Sequence, residues 1–308
     1  MEKVAFPSFA LEGKESVGMV DNNNNMQKSG FWYTVPAFIL LLFFLVFPVF
    51  NSVICGMFQY KYMNKGEFMG LKNYIWCLTD STILNSFKVT FLVTLFATIS
   101  SVVIGLLLAL WIDKKHGLFS YMIEMVGLIP WVISMVVAGI LWKWILNGDI
   151  GLVNYLCALF GTKTVYVFNE PKSSLATMIF VMSWRTVGYA MVMLLAGLKG
   201  LDGNLIEASE IDGANSWQVL FKIKLPLIMT NFLLSLIVLT VSNFTNNTIP
   251  RVLTNGGPAN ATNVVTLQQY VMSFEFYEFG RSSALSLLVM LATMVIIYFY
   301  MKVTKYEL

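Results

Sequence analysis

The stretch Glu207 to Pro226, EASEIDGANSWQVLFKIKLP, decides how this chain folds. It is polar and charged, and long apolar segments stand on either side of it. Asn204 is placed to cap a short helix whose first turn holds Glu207 and Glu210, acidic residues that a helix N-terminus favours. Gly213 suits the left-handed position that ends such a helix without a steric penalty. Ser216 is expected to cap a second short helix through Trp217, Val219, Leu220 and Phe221. Pro226 is expected to stop it, because proline lacks a donor and biases Leu225 away from helical angles. The product is helix, glycine kink, helix and stop, a knob lying across the end of a pair of membrane helices.

The flanking composition says membrane. Of 308 residues, 57% are hydrophobic and 12% charged, with mean hydropathy +0.71. Soluble domains carry about 25% charged residues, so this chain is suited to lipid. A net charge of +3 is too small for a nucleic-acid footprint. Cys55, Cys77 and Cys157 form no C-x-x-C pair, and His116 is the single histidine, so neither a disulfide framework nor a metal centre is expected. No G-x-x-x-x-G-K-[ST] run, nucleophile elbow or H-E-x-x-H is present, so the chain has nothing with which to hydrolyse ATP and implies no cofactor.

Residues 1–30 are polar and are expected to be a disordered tail, with no cleaved signal peptide. Six apolar runs then approach the roughly 20 residues that cross a bilayer: Phe31–Met57, Ile83–Trp111, Leu118–Ile145, Ser174–Gly197, Leu227–Ile249 and Ala284–Tyr300. Trp32, Tyr33, Trp111, Trp142, Trp144 and Tyr300 mark several ends as interfacial aromatics do, and Pro130 is a candidate kink in the third span. Six spans put both termini on one side. The lysines and arginines lean only slightly toward the side that holds the 207–226 loop.

The spacing of the central stretch resembles the EAA motif (E-A-A, three residues, G, nine residues, I-x-L-P) of binding-protein-dependent ABC importer permeases. Glu207-Ala208-Ser209, Gly213 and Ile223-Lys224-Leu225-Pro226 carry it, with Ser209 in place of the third-position alanine. Three outer segments fit the same family. Phe68-Met69-Gly70-Leu71-Lys72-Asn73-Tyr74 is similar to F-x-G-L-x-N-Y, Leu253 to Pro258 matches L-T-x-G-G-P, and Gly280 to Ala284 resembles G-x-x-S-A. The resemblance covers residues 31–308 and is nearest the carbohydrate, maltose-type branch. It implies an all-α polytopic membrane protein with the type I ABC importer permease fold, residues 31–308 forming the permease domain and 198–226 the cytoplasmic coupling loop. Glu207, Ala208, Ser209, Asp212, Gly213, Ala214, Trp217, Leu220, Phe221 and Pro226 are implied to meet a separate ATPase subunit. The implied partners are a second, similar permease, two such ATPases and an extracellular or periplasmic solute-binding protein. The implied place is the bacterial plasma membrane, with both termini in the cytoplasm.

Polar groups at membrane depth are the candidates for a solute pathway. Arg185 and Tyr189 share a face of the fourth span, and Asn243, Asn246 and Asn247 at i, i+3 and i+4 are expected to share a face of the fifth. Amides can donate to and accept from sugar hydroxyls, and Trp184 and Tyr189 can cover a pyranose. By resemblance, Arg185, Thr186, Tyr189, Asn243 and Asn246 fall near where maltose-type permeases contact their sugar, although the family position of Arg185 is not usually charged. Two bland readings stand beside these: an ion pair of Arg185 with Glu124, and helix–helix packing for the amides. The rival functions are an ion-coupled secondary transporter, which wants acidic residues at the midplane, and a membrane enzyme, which wants a catalytic constellation.

Overall fold

The computed structural model describes residues 33–115 and 117–304, so His116 and the tail expected over 1–30 lie outside the described residues. The chain divides into two compact units, Met1–Ile54 and Cys55–Leu308. The described part of the first is helical, within α1 (Tyr33–Gly56), which contains a π-turn at Leu42–Val46; none of residues 33–54 is buried.

Three helices of the second unit are long and apolar enough to cross a membrane unbroken: α3 (Ser81–Asp113), α7 (Pro171–Lys199) and α13 (Phe279–Thr304). The other two expected spans involve bends. Leu118–Val132 (α4) and Met135–Ile145 (α5) meet at 96°; the expected Leu227–Ile249 run is carried by Met229–Phe244 (α10), which meets the loop helix Ser216–Leu227 (α9) at 69°. Pro130 lies inside α4, and the helix continues to Val132 before Ile133 turns extended. The break therefore falls three residues after the proline, where the Ile133 amide still reaches the Ile129 carbonyl at 3.1 Å.

Short elements fill the connections. A hairpin of β1 (Phe58–Lys61) and β2 (Asn64–Phe68), antiparallel with Phe58 opposite Phe68, precedes α2 (Lys72–Thr79). α6 (Leu152–Leu159) follows α5, and α8 (Gly203–Ile211) precedes α9. α11 (Thr248–Leu253) and α12 (Val265–Phe274) stand between α10 and α13. Of these, only α8 is expected from the sequence; the hairpin and α2, α6, α11 and α12 are not, because each is too short to show a period of its own.

α3 starts cleanly because Asp80 accepts hydrogen bonds from the amides of Thr82 and Ile83 at 2.9 and 3.1 Å. Its most extensive packing is against α7. Small residues make this seam: a Cβ added at Gly105 would stand 2.7 Å from the Ala190 Cβ and 2.8 Å from the Met191 nitrogen. Close backbones of this kind are how helices gain dispersion energy where lipid removes the hydrophobic drive. Hydroxyls cross-link the seam, Ser100 to Ser183 at 2.6 Å and Ser101 to Thr186 at 2.7 Å. Above and below it, Val93, Met178, Met182 and Leu253 form one buried cluster, and Ile112, Met191, Leu194 and Leu239 another.

The other segments that carry the resemblance have physical roles. Asn73 donates to the carbonyls of Gly56 and Phe58 at 2.9 and 3.0 Å, tying the hairpin to α2. Glu278 pairs with Lys61 at the turn end of the hairpin, at 3.0 Å, and with Arg281, at 3.1 Å, and Arg281 lies 4.1 Å over the Trp76 ring. The Leu253–Pro258 segment is a turn as expected, with Thr254 and Thr262 joined at 2.6 Å and Thr262 donating to the Gly257 carbonyl at 2.7 Å.

Candidate functional site

The 198–226 loop forms two helices with Gly213 between them, but its stops and caps differ from those read in the sequence. Asp202, not Asn204, caps α8, because its carboxylate reaches the Asn204 amide at 3.0 Å while Asn204 is already helical. Asn215, not Ser216, caps α9. Its side chain accepts from the Gln218 amide at 2.9 Å and Gln218 answers to the Asn215 amide at 2.8 Å, a reciprocal capping box. Pro226 does not end the helix. A π-turn over Val219–Lys224 leads into Leu225–Leu227, where the proline sits among first-turn positions that need no donor, and the chain bends after Leu227 instead.

Gly213 takes φ +85° with no atom within 4 Å of a would-be Cβ, so the backbone and not the space demands glycine there. The turn is closed by Ala214 donating to the Ser209 carbonyl at 3.0 Å and Asp212 to that of Ala208 at 3.0 Å. Ser209 spends its hydroxyl on the Ile206 carbonyl at 2.7 Å, a use an alanine would lack.

The knob has a buried root and a bare crown. Val219 is buried, Leu220 is half-buried, and Glu207, Ala208, Asp212 and Pro226 are exposed. Trp217 and Phe221 stack at 5.8 Å while remaining 70% and 58% exposed. Single exposed apolar side chains are unremarkable, but two stacked rings on a charged loop make a patch that water solvates badly. At the root, Lys224 pairs with Asp113 at the end of α3, 2.7 Å apart and both largely covered. That tie, absent from the sequence reading, joins residues 111 positions apart. A cleft of about 360 Å3 lies beside it, lined by Leu110, Lys114, Glu210 and Trp217 among others.

The membrane-depth candidates separate into two groups. Thr186 is turned toward α3 and bonded to Ser101, and Asn243 donates to the Thr98 hydroxyl at 3.1 Å. Both therefore bind helix to helix. The three amides do not share one helical face, because α10 ends at Phe244 and the chain is irregular at 246 and 247. The break frees a backbone donor that a side chain takes up, Asn246 accepting from the Ile249 amide at 3.1 Å, and beside it Asn247 accepts from the Thr248 hydroxyl at 3.2 Å. Asn246 also reaches the Met135 sulfur, 3.6 Å away at the bend between α4 and α5.

Tyr189 pairs with Trp131 of α4, ring centroids 5.5 Å apart, and Trp184 stands edge-on to Trp142 at 5.4 Å. Arg185, between them on α7, is only 8% exposed, and its Nε is enclosed with no hydrogen-bond partner. The ion pair with Glu124 is not formed: Glu124 meets Lys199 at 3.5 Å instead, one helical end away from Arg185. A lone charge at the centre of a span costs about 3 kcal/mol even on insertion scales, so this arginine is expensive to keep.

Against this geometry, known proteins give a consistent answer. The family model described as "Binding-protein-dependent transport system inner membrane component" matches residues 88–304. The chain is 31% identical to the osmoprotective compounds uptake permease protein GgtC of Synechocystis sp., over 84% of this chain and 92% of the relative. It is 26% identical to the trehalose/maltose transport system permease protein MalF of Thermococcus litoralis, over 91% of this chain and 95% of the relative. Its fold is similar to a chain in the crystal structure of a bacterial alginate ABC transporter in complex with an alginate pentasaccharide-bound periplasmic protein. That match has a TM-score of 0.79 at 19% identity and covers 92% of this chain and 99% of the other. The chain belongs to the family of binding-protein-dependent transport system inner membrane components, and is a multi-pass ABC transporter permease rather than an enzyme.

Proposed function

We propose that this chain forms one half of the translocation pathway of an ATP-driven importer of a sugar or oligosaccharide. The observation that carries the reading is the knob: a stacked, water-exposed Trp217–Phe221 pair on a loop whose root is tied to a membrane helix through Lys224 and Asp113. Such a crown stores no stability by itself. It gains by entering an apolar cleft on a separate ATPase subunit, and the tie at its root passes the resulting push into α3. Glu207 and Asp212 supply the charged rim around that contact, and Gly213 sets the angle between its two helices.

A second, similar permease completes the pathway in this reading, as a heterodimer, and a solute-binding protein delivers the cargo from outside. Two ATPase subunits dock on the knobs, which places the 198–226 loop and both termini in the cytoplasm. The carbohydrate cargo is supported by the trehalose/maltose relative. Residues 31–308 act as the permease domain and 1–30 as a cytoplasmic tail. Arg185, Tyr189, Asn246 and Asn247 are the proposed pathway residues, with Thr186 and Asn243 holding the wall from behind. An ion-coupled mechanism has little support: among the described residues of α3, α4, α5, α7, α10 and α13, the acidic ones are Asp113 and Glu124, each paired with a lysine near a helix end.

The test is a tagged pull-down from native membranes followed by an ATPase assay on the captured complex. Co-purifying ATPase whose activity rises with a sugar-loaded binding protein is the expected result. A chain that purifies alone and moves solute down an ion gradient without ATP would overturn the reading.

A further inference from the structure

We propose that the transported saccharide carries an oxyanion, a carboxylate or sulfonate, and that Arg185 is its counter-charge in the membrane. This rests on the carbohydrate-importer reading and narrows its substrate class.

Position comes first. Arg185 stands at the exact centre of α7, with fourteen helical residues on either side, 171–184 and 186–199. At about 1.5 Å per residue each arm is about 21 Å long, and the hydrocarbon core is about 30 Å thick. The guanidinium therefore sits too deep for its side chain to reach the headgroups.

Satisfaction comes second. Arg185 forms no hydrogen bond or ion pair with any described residue, and its Nε is enclosed. The carboxylate best placed by sequence to answer it, Glu124, is committed to Lys199. Helix packing does not need the charge either. The polar residues that α7 spends on packing are Ser183 and Thr186, and both find hydroxyl partners on α3. A charge that is buried, central and unanswered within its own chain is an expense with no structural return.

The chemistry of the surroundings decides what answers it. One turn along the same face, Tyr189 and Trp131 form an aromatic pair that suits the C–H face of a sugar ring. The Asn247 amide, just beyond the end of α10, has only its oxygen engaged and keeps its NH2 for hydroxyls. A neutral sugar needs no more than these. A guanidinium adds a planar fork of donors that matches carboxylate or sulfonate oxygens and remains charged at any physiological pH. An anionic sugar crossing at this depth needs just such a group, since an uncompensated anion in the membrane is as costly as the uncompensated arginine.

The experiment uses the complete importer with its partner subunits and binding protein in lipid vesicles. The probes are uronic-acid and sulfonated mono- and disaccharides, each matched with its neutral parent. An acidic member is expected to stimulate ATP hydrolysis and to be taken up in preference to its parent. Arg185→Gln is expected to lower that uptake about tenfold to a hundredfold, the loss of one charge-assisted pair, and Arg185→Lys to restore part of it. Subunit co-purification should be unchanged in both variants. Uptake confined to neutral sugars and indifferent to Arg185→Gln overturns the proposal and leaves the importer reading intact. Loss of co-purification in Arg185→Gln also overturns it, by assigning the arginine to an ion pair with a partner subunit. If no saccharide of either kind moves while ATP-dependent uptake of another solute does, the carbohydrate reading fails and takes this proposal with it.

Discussion

The α3–α7 seam and the knob formed by α8 and α9 are built on opposite principles. In the seam every hydroxyl that α7 turns toward α3 has a partner there, and glycine and alanine bring the backbones into contact. In the knob the largest side chains, Trp217 and Phe221, are left in water, and Ile211 before the kink is 86% exposed. The seam is finished by its own chain; the knob is not. Groups satisfied internally hold the molecule together, and groups left unsatisfied mark where something else arrives. Arg185 is instructive because it belongs to the second kind while lying one residue from Thr186, which belongs to the first.

Overfilling the seam should have the largest effect. Gly105→Leu forces a side chain into the backbone of Ala190 and Met191, and should destabilise the chain by about 3 kcal/mol, the upper range for overpacking. A detergent-solubilised variant that melts at the parent temperature would show that the seam is looser than its distances say. The knob should respond differently. Gly213→Arg strains a backbone at φ +85°, at a cost of about 1–3 kcal/mol, but meets no neighbouring atom. Membrane insertion should survive while uptake falls about tenfold relative to ATP hydrolysis. Equal uptake would remove the knob from the coupling argument.

Lys224→Met tests the tie that joins the two regions. It leaves Asp113 uncompensated in a largely covered site, which should cost about 2 kcal/mol, less than a fully buried pair would. The ATP spent per solute moved should rise severalfold, and the double variant with Asp113→Asn should recover part of the loss; no recovery would mean that the two side chains act independently.

The smallest effect belongs to the turn end of the hairpin. Burial pushes the Glu278 carboxyl up, but the Lys61 hydrogen bond and the neighbouring Arg281 outweigh it, so its pKa lies below the ordinary value. A depressed carboxyl stabilises above its unfolded pKa of about 4.3 and loses that contribution as pH falls through the lower folded value. Protection of residues 58–68 against hydrogen exchange, taken relative to the intrinsic rate, should therefore fall below about pH 4, and Glu278→Gln should abolish that dependence. Exchange that ignores acid would show the pairs to be surface ornaments.

Much of this was legible beforehand because its signals are local. Long apolar runs must become membrane helices, since lipid leaves backbone groups no other partner, and the six runs correspond to four unbroken helices, the bent pair α4–α5, and α10. The 207–226 pattern carried its own kink at Gly213, a residue whose φ only glycine adopts freely. Caps were misplaced by one or two residues because Asp202 and Asn204, or Asn215 and Ser216, are equally good capping types and only the chain path chooses between them. The face shared by three asparagines failed for a related reason. Periodicity continues on paper through residues where α10 has already ended at Phe244.

By itself, then, the sequence determined a multi-pass membrane chain with a polar loop kinked at Gly213, and its motif spacing carried the resemblance to the permease family, because hydrophobic length and motif spacing are properties of neighbouring residues. Only the tertiary structure decided which polar groups are spent and which are free. Whether Asn243 finds Thr98, Lys224 finds Asp113 and Glu124 finds Lys199 depends on distances between helices that are far apart in the chain. A hydrogen bond or ion pair acts over about 3 Å, and no sequence separation encodes that until the helices have packed.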